Sequence, residues 1–434
     1  MSTQALSVHF HGIRQVGTPQ SDGIGRVTQL SILPGSSFLH EFIATDVGTF
    51  WYHSHVHSQT AMGLLGGFIV HPKTKPDIVH GEFVLMLQDW QHLYTGEQHD
   101  LLIDSGQFYV NSLESIFDSG NIDHSTETTA LVTSILINGR GQYIDPRTNE
   151  SSTNVPLEIL KIQSEKYDTY RIRLINGGNA FSLKFSIDEH VLHVIAADGI
   201  PFNESIVVDQ LIIGLGERFD ILLVNTSQMD RTKNYWIRVE TLDKNHNPRW
   251  HGRAILQYTS DSTMPTTNQQ TTGRILTLRD MTSHDRYLDR TLLDEKTQVN
   301  VRKTLSLNMV NSKGEHGYES INFIRMTLPK MTEPILYNPR KARELLPCVN
   351  QHRSMKSGEE CYHHVNVQLN DIVEFLLIND DSDQHPLHLH GSFFHIIEQG
   401  LVISNKTTSS RMRLIKDTIQ LPSQGYSDFL FTDL

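Results

Sequence analysis

Cysteine is scarce in this chain. Among 434 residues there are two, Cys348 and Cys361, against 24 histidines. So few cysteines exclude a multi-disulfide scaffold and a zinc site of three or four thiolates. Thirteen positions separate them, so they either close one small loop or remain two thiols. Positive charge is also in deficit: Lys and Arg total 37 against 49 Asp and Glu, a formal net charge of -12. That balance argues against nucleic acid as a partner, because neutralising phosphates takes a basic stripe. No apolar run reaches the roughly 18 residues of a membrane helix, so no membrane segment is expected. The opening "MSTQALSVHFHG" lacks a charged stretch followed by an apolar core, so no secretory leader is read there.

Long helical periodicity is lacking too. What recurs instead is the short alternating or apolar run: "LSVHFHGI", "EFVLMLQDW", "TYRIRLIN", "RFDILLVN", "DIVEFLLIN", "DFLFTDL". Gly, Asn, Asp and Pro punctuate these runs, the pattern of an all-β protein built as sandwiches or barrels. The polar stretch 260–273 reads as an interdomain linker, and "HPKTKPD" marks a softer boundary near residue 75. Three domains are therefore expected: 1–75, 76–262 and 263–434. Sequons at Asn149, Asn203, Asn225 and Asn405 lean towards a secreted glycoprotein.

Internal repeats support the division. "LINGGNAFSLKFSIDEHVLHVI" from Leu174 parallels "LINDDSDQHPLHLHGSFFHII" from Leu377. With one gap, Lys184 and Ser186 fall where the later copy has His388 and His390, and the early "LSVHFHG" sets His9 and His11 there. A second repeat relates the segments from Leu33, Leu215 and Leu421. In this second repeat the first copy carries His53 and His55, the middle copy carries no histidine, and the last copy stops before the matching strand.

Side chains at i and i+2 of a strand share a face. His9 with His11, His53 with His55, and His388 with His390 therefore present three pairs of imidazoles. Six nitrogens are too many for one tetrahedral ion and point to several ions close together. Imidazole without thiolate suits copper, zinc, iron or nickel. Lone histidines such as His71, His92 and His395 read as ordinary surface or core residues.

On these residues the chain resembles the multicopper oxidases: laccases, ascorbate oxidases and ferroxidases. "HFHG", "GTFWYHSH" and "HPLHLHG" look like three of the family's four copper-ligand motifs, and "IAADGIP", "GLGERFDILL" and "IKDTIQLPSQG" resemble stretches between them. The animal laccase-like branch is the nearest in kind. The resemblance implies three cupredoxin-like Greek-key domains and copper of types 1, 2 and 3. It implies oxidation of a phenolic or other small reducing donor, or of ferrous iron, with dioxygen reduced to water. It assigns His9 and His388 to type 2 copper, His11, His53, His55 and His390 to the type 3 pair, and His385 to type 1. Asp22 in "SDGI" resembles the family's acid for proton delivery; read by itself, Asp-Gly is also a good turn former.

One departure stands out. The family's fourth motif is His-Cys-His, and neither Cys348 nor Cys361 has that frame. In the first repeat copy His53 follows Asp46 by seven residues, and Asp433 holds the matching place in the last copy. The remaining ligands are thus expected beyond Leu434, and strands are expected before residue 1, so that the first and last domains are incomplete. The chain alone is then expected to be inactive, or a non-catalytic cupredoxin-like copper binder.

Overall fold

The computed structural model describes residues 4–74, 79–92, 132–143, 156–162, 169–224, 230–242, 248–261, 263–268, 272–310, 316–322, 333–340, 365–381, 383–402 and 412–432. Cys348, Cys361 and the sequons at Asn149, Asn225 and Asn405 lie outside these residues; Asn203 is exposed on a strand. Two compact units form. One comprises Met1–Asp46, Tyr52–His57 and Asp285–Leu434; the other comprises Val47–Trp51 and Ser58–His284.

The architecture is all-β. Among the described residues helix is limited to single turns such as Arg290–Leu293, and no helix is long and apolar enough to cross a membrane. The first unit opens with β1 (Val8–His11) and shares β2 (Gly48–Ser54) with the second. The second continues with β3 (Leu65–Val70), β4 (Val79–Gln91), β5 (Val132–Ile137), β6 (Glu158–Lys161), β7 (Thr169–Asn176), β8 (Leu183–Ile187) and β9 (Leu192–Ala197). It ends with β10 (Ile200–Val208), β11 (Leu211–Ile213), β12 (Arg218–Val224), β13 (Tyr235–Leu242) and β14 (Pro248–Gln257). The first unit resumes with β15 (Val301–Val310), β16 (His316–Ile321), β17 (Ile372–Asn379), β18 (His385–His388), β19 (Phe394–Leu401), β20 (Leu414–Lys416), β21 (Thr418–Leu421) and β22 (Gly425–Thr432).

Each unit holds a six-stranded sheet, and the two sheets have one plan. The order is β10-β9-β12-β7-β4-β5 in the second unit and β20-β19-β22-β17-β15-β16 in the first. In both, the chain enters by a parallel pair, β4 with β7 and β15 with β17, and the following neighbours are antiparallel. Alternation explains the core: Ile172, Leu174, Ile221 and Leu223 are buried in one sheet, and Val373, Leu377, Phe429 and Ile396 in the other.

Alternation alone would send Arg173 of β7 to solvent, yet it is buried. Its guanidinium donates to Thr49 Oγ1 at 2.7 Å and to Glu82 Oε2 at 2.7 Å, and lies 3.3 Å from Asp220 Oδ2, which also pairs with Arg171. A buried charge persists when it is paired and hydrogen-bonded.

Two sequence expectations change. Asn176 and Asn379 close equivalent turns: each amide nitrogen donates to two main-chain carbonyls, Phe181 and Ile213 in one copy and Asp383 and Pro422 in the other. Counting from these anchors, the extra residue lies in the middle copy. Strand pairing agrees. Thr418 pairs with His388, and continuing the Leu211–Phe185 register sets Gln210 opposite Ser186. Ser186 and Asp188, rather than Lys184 and Ser186, therefore match His388 and His390. Asp188 is gripped by Arg238 through bonds of 2.7 and 2.8 Å.

The stretch 260–273 is also not a plain linker. Thr267 is buried, donating from Oγ1 to Asp188 Oδ2 and accepting at its carbonyl from Arg238. Composition made it look solvated; specific polar bonds dock it.

Candidate metal centre

All the expected site residues belong to the first compact unit. Six histidines converge there. The His9 ring centroid lies 5.7 Å from His11, 5.4 Å from His53, 6.1 Å from His55, 5.5 Å from His388 and 4.0 Å from His390. His11 stacks on His388 at 3.6 Å, and His55 meets His390 edge-on at 5.3 Å. Period-2 alternation on β1 and at the end of β2 supplies two pairs, and β18 with the following turn supplies the third.

The tautomers follow from the partners. A carbonyl oxygen accepts and never donates. His9 Nδ1 lies 2.7 Å from the Asp22 carbonyl, and His388 Nδ1 lies 2.8 Å from that of Asp417. Each Nδ1 therefore carries the hydrogen, and each Nε2 is bare. Those two bare nitrogens face each other at 3.3 Å. Two lone pairs at that separation repel unless a Lewis acid or a proton lies between them, so this donor set fits a metal ion. His53 Nδ1 likewise donates to the Ser54 carbonyl at 2.9 Å, leaving its Nε2 bare.

Burial keeps the ligands neutral. It is the leading cause that lowers His9, His53 (to about 3), His55 (to about 4) and His388, and neighbouring imidazoles add to it. Metal ligation needs this deprotonated form.

Asp22 lies beneath the cluster. Its Oδ2 is 3.1 Å from His390 Nδ1 and its Oδ1 is 3.2 Å from His9 Nδ1. Burial alone would raise its carboxyl, but the bonds from His390 and His9 outweigh that and hold it below the usual carboxylate range. Two groups of three could each hold an ion: His9, His11 and His388, and His9, Asp22 and His390.

Gly23 makes the Asp22 loop possible. Its φ is +91°, and a Cβ there would lie 1.8 Å from the Val8 carbonyl oxygen and 2.8 Å from His9 Cα. Only glycine lets the loop press flat against β1. Ser21 fastens the other side, its Oγ donating to the Glu41 carbonyl and accepting from the Glu41 N–H, both at 3.0 Å.

His385 stands apart from the six and makes a different contact: its Nε2 is 2.7 Å from Asp381 Oδ2. Reading the sequence missed three residues here. Asp417 is buried with Oδ1 3.5 Å from His11 Nε2, Thr418 Oγ1 is 2.8 Å from that same nitrogen, and Asp381 holds His385. A single Asp-Thr between strands carries no spacing signal. The Asp381–His385 spacing of four was visible, but nothing local marked it.

Comparison with known proteins points to one family. Three family profiles, each described as Multicopper oxidase, match residues 1–75, 81–261 and 328–433. Laccase-2 of Botryotinia fuckeliana is 28% identical over 442 residues, spanning 98% of this chain and 68% of its own. An L-ascorbate oxidase of Brassica rapa subsp. pekinensis is 27% identical, with 99% and 78% covered. The iron transport multicopper oxidase of Saccharomyces cerevisiae is 27% identical, with 92% and 56% covered. Among solved structures, the laccase from Botrytis aclada superposes with a TM-score of 0.71 at 25% identity, covering all of this chain and 74% of that one. A multicopper oxidase that functions in iron import gives 0.74 at 23% identity, covering 99% and 76%, a likeness of fold.

Proposed function

This chain belongs to the multicopper oxidase family, a family of copper oxidoreductases with type 1, 2 and 3 copper sites, and from that premise we propose that it oxidises phenolic donors in the manner of a laccase, with dioxygen as acceptor. The observation that carries the reading is the pair of bare Nε2 atoms, on His9 and His388, facing each other at the centre of six imidazoles.

In this reading His9 and His388 hold type 2 copper, His11, His53, His55 and His390 the type 3 pair, and His385 type 1 copper. Bound copper supplies one-electron chemistry by cycling between two oxidation states. The chain's own groups do the rest. The carbonyls of Asp22 and Asp417 fix the Nδ1–H tautomers of His9 and His388, as partners of metal-bound imidazoles usually do. Asp22, ionised at rest, is the place for a proton moving inward at Oδ2, beside His390 Nδ1. Residues 1–75, 76–262 and 263–434 are three cupredoxin domains in this proposal, the middle one without ligands. Secretion accompanies it, on the sequons and on the company of laccases.

A second donor class has its own support. Asp381 puts a carboxylate on His385 Nε2, and a carboxylate beside the electron-accepting ligand suits a hard dication such as ferrous iron. One relative by sequence is an iron transport oxidase.

Copper titration tests the core of the reading. The 434-residue chain should bind copper with the electron paramagnetic resonance of imidazole-ligated Cu(II). It should show no intense blue absorption and no turnover, since it has no His-Cys-His. Failure to bind copper refutes the site. In any longer form of the protein that carries such a motif, dioxygen uptake with a diphenol supports the laccase reading. Uptake with ferrous iron alone moves the donor to iron.

A further inference from the structure

The second unit has a buried cluster that the copper chemistry does not use. His190 follows β8 and Tyr258 follows β14. His190 is buried, and its Nδ1 lies 2.7 Å from the Asp188 carbonyl, so Nδ1 carries the hydrogen and Nε2 is bare. The Tyr258 hydroxyl lies 3.1 Å from Nε2 and donates to it. The two rings lie nearly parallel, 14° apart. Tyr258 is fixed through its own N–H, which donates to Asn234 Oδ1 at 3.0 Å.

We propose that Tyr258 and His190 form a redox-active pair, in which the Tyr258 phenol loses one electron to a small organic radical of the phenoxyl class while its proton passes to His190 Nε2. The cycle balances with the oxidant, water and one reductant. The phenol O–H bond breaks and an N–H bond forms at Nε2, giving a neutral tyrosyl radical beside an imidazolium. The oxidant gains the electron, becomes a phenolate and takes a proton from water. An ascorbate-class reductant returns the electron, and the proton goes back from Nε2 to oxygen. The phenoxyl class rests on the proposed phenolic donors, whose one-electron oxidation releases such radicals; the pair itself does not depend on copper.

Three features separate this from an ordinary buried hydrogen bond. Burial keeps His190 neutral, lowering it to about 4, so Nε2 is an open base at physiological pH. The Arg231 guanidinium lies 5.7 Å from the centre of the Tyr258 ring. That cation disfavours a positively charged ring, so electron loss requires the proton to leave as well. The third feature is an internal control. Tyr235, fully buried with its centroid 5.7 Å from that of Tyr258, donates its hydroxyl to the Asp230 carbonyl at 2.6 Å. A peptide carbonyl is no base for a phenol proton, so Tyr235 cannot oxidise by this route.

The test uses the whole chain without copper, oxidised by flash-generated tris(bipyridyl)ruthenium(III), with freeze-quench electron paramagnetic resonance. Exposed tyrosines give short-lived signals; Tyr258 should add a neutral tyrosyl signal that outlives that of free tyrosine. Tyr258→Phe should lose this component and Tyr235→Phe should keep it. In His190→Gln its yield should fall by about 100-fold, the lower end of what a positioned base contributes. In the unaltered chain its formation should slow in D2O, a readout that needs no variant to fold. No long-lived signal, its survival in Tyr258→Phe or His190→Gln, or equal rates in H2O and D2O overturns the proposal.

Discussion

Replacing Asp22 by Asn keeps the shape of the side chain and removes its charge. The Asp22 carboxylate now accepts from His390 Nδ1 at 3.1 Å through Oδ2, and its Oδ1 lies 3.2 Å from His9 Nδ1. An amide offers one oxygen and one NH2. Whichever way it turns, a donor then faces a donor. His9 retains the Asp22 carbonyl at 2.7 Å, so the misfit falls on His390. That imidazole must shift its hydrogen to Nε2 and lose the lone pair a metal needs, or give up its partner. A hydrogen bond to a charged acceptor contributes about 1.5–3 kcal/mol. Losing one should weaken metal binding by roughly 10- to 100-fold, in line with other changes to the partners of metal ligands. Competitive copper titration of the two chains at pH 7, followed by Cu(II) resonance, reads this directly. An affinity for Asp22→Asn within about twofold of the parent, below the range expected for such changes, would refute the tautomer argument.

Three other perturbations follow from the same structure. Gly23→Ala puts a Cβ 1.8 Å from the Val8 carbonyl oxygen at a φ of +91° and should cost about 2–5 kcal/mol in urea unfolding; unchanged stability would mean the loop is not pressed on β1. Arg173→Leu strips Glu82 and Asp220 of a buried partner and should cost about 3–5 kcal/mol by the same assay. His190 and His395 are buried and lowered to about 4 from 6.5, in both cases chiefly by burial. The unfolded chain therefore binds protons that the folded one refuses. The stability of the copper-free chain should be full above about pH 6.5 and fall as pH drops towards 4, each group accounting for at most about 3 kcal/mol. Denaturation midpoints of His190→Gln and His395→Gln across that window should be flatter than the parent's.

Much of this was legible in the sequence. Strands such as "TYRIRLIN" and "DIVEFLLIN" announce themselves because each buries one face, and the three His-x-His pairs needed only the period of a strand to be brought together. What escaped is set by contacts distant in sequence. Asp417 and Thr418 reach His11 from more than 400 positions away, across strand pairings that no local pattern encodes. The gap in the internal repeat went to the wrong copy, because letters around Lys184 match as well one way as the other; the Asn176 and Asn379 hydrogen bonds decide it. Thr267 looked like solvated chain because composition does not say that Asp188 and Arg238 wait for it.

The paired asparagines carry a last implication. Asn176 and Asn379 make the same three bonds, down to the N–H two residues on, Gly178 in one turn and Asp381 in the other. One turn leads to His388 and His390, the other to Ser186 and Asp188. The two copies thus act as a control on each other: the hinge-pin is the same and the cargo differs. The turn is a requirement of the chain's path, indifferent to copper. The middle copy, with Arg238 clamped on Asp188, shows that the scaffold can close with an ion pair the place where its sister copy has a histidine.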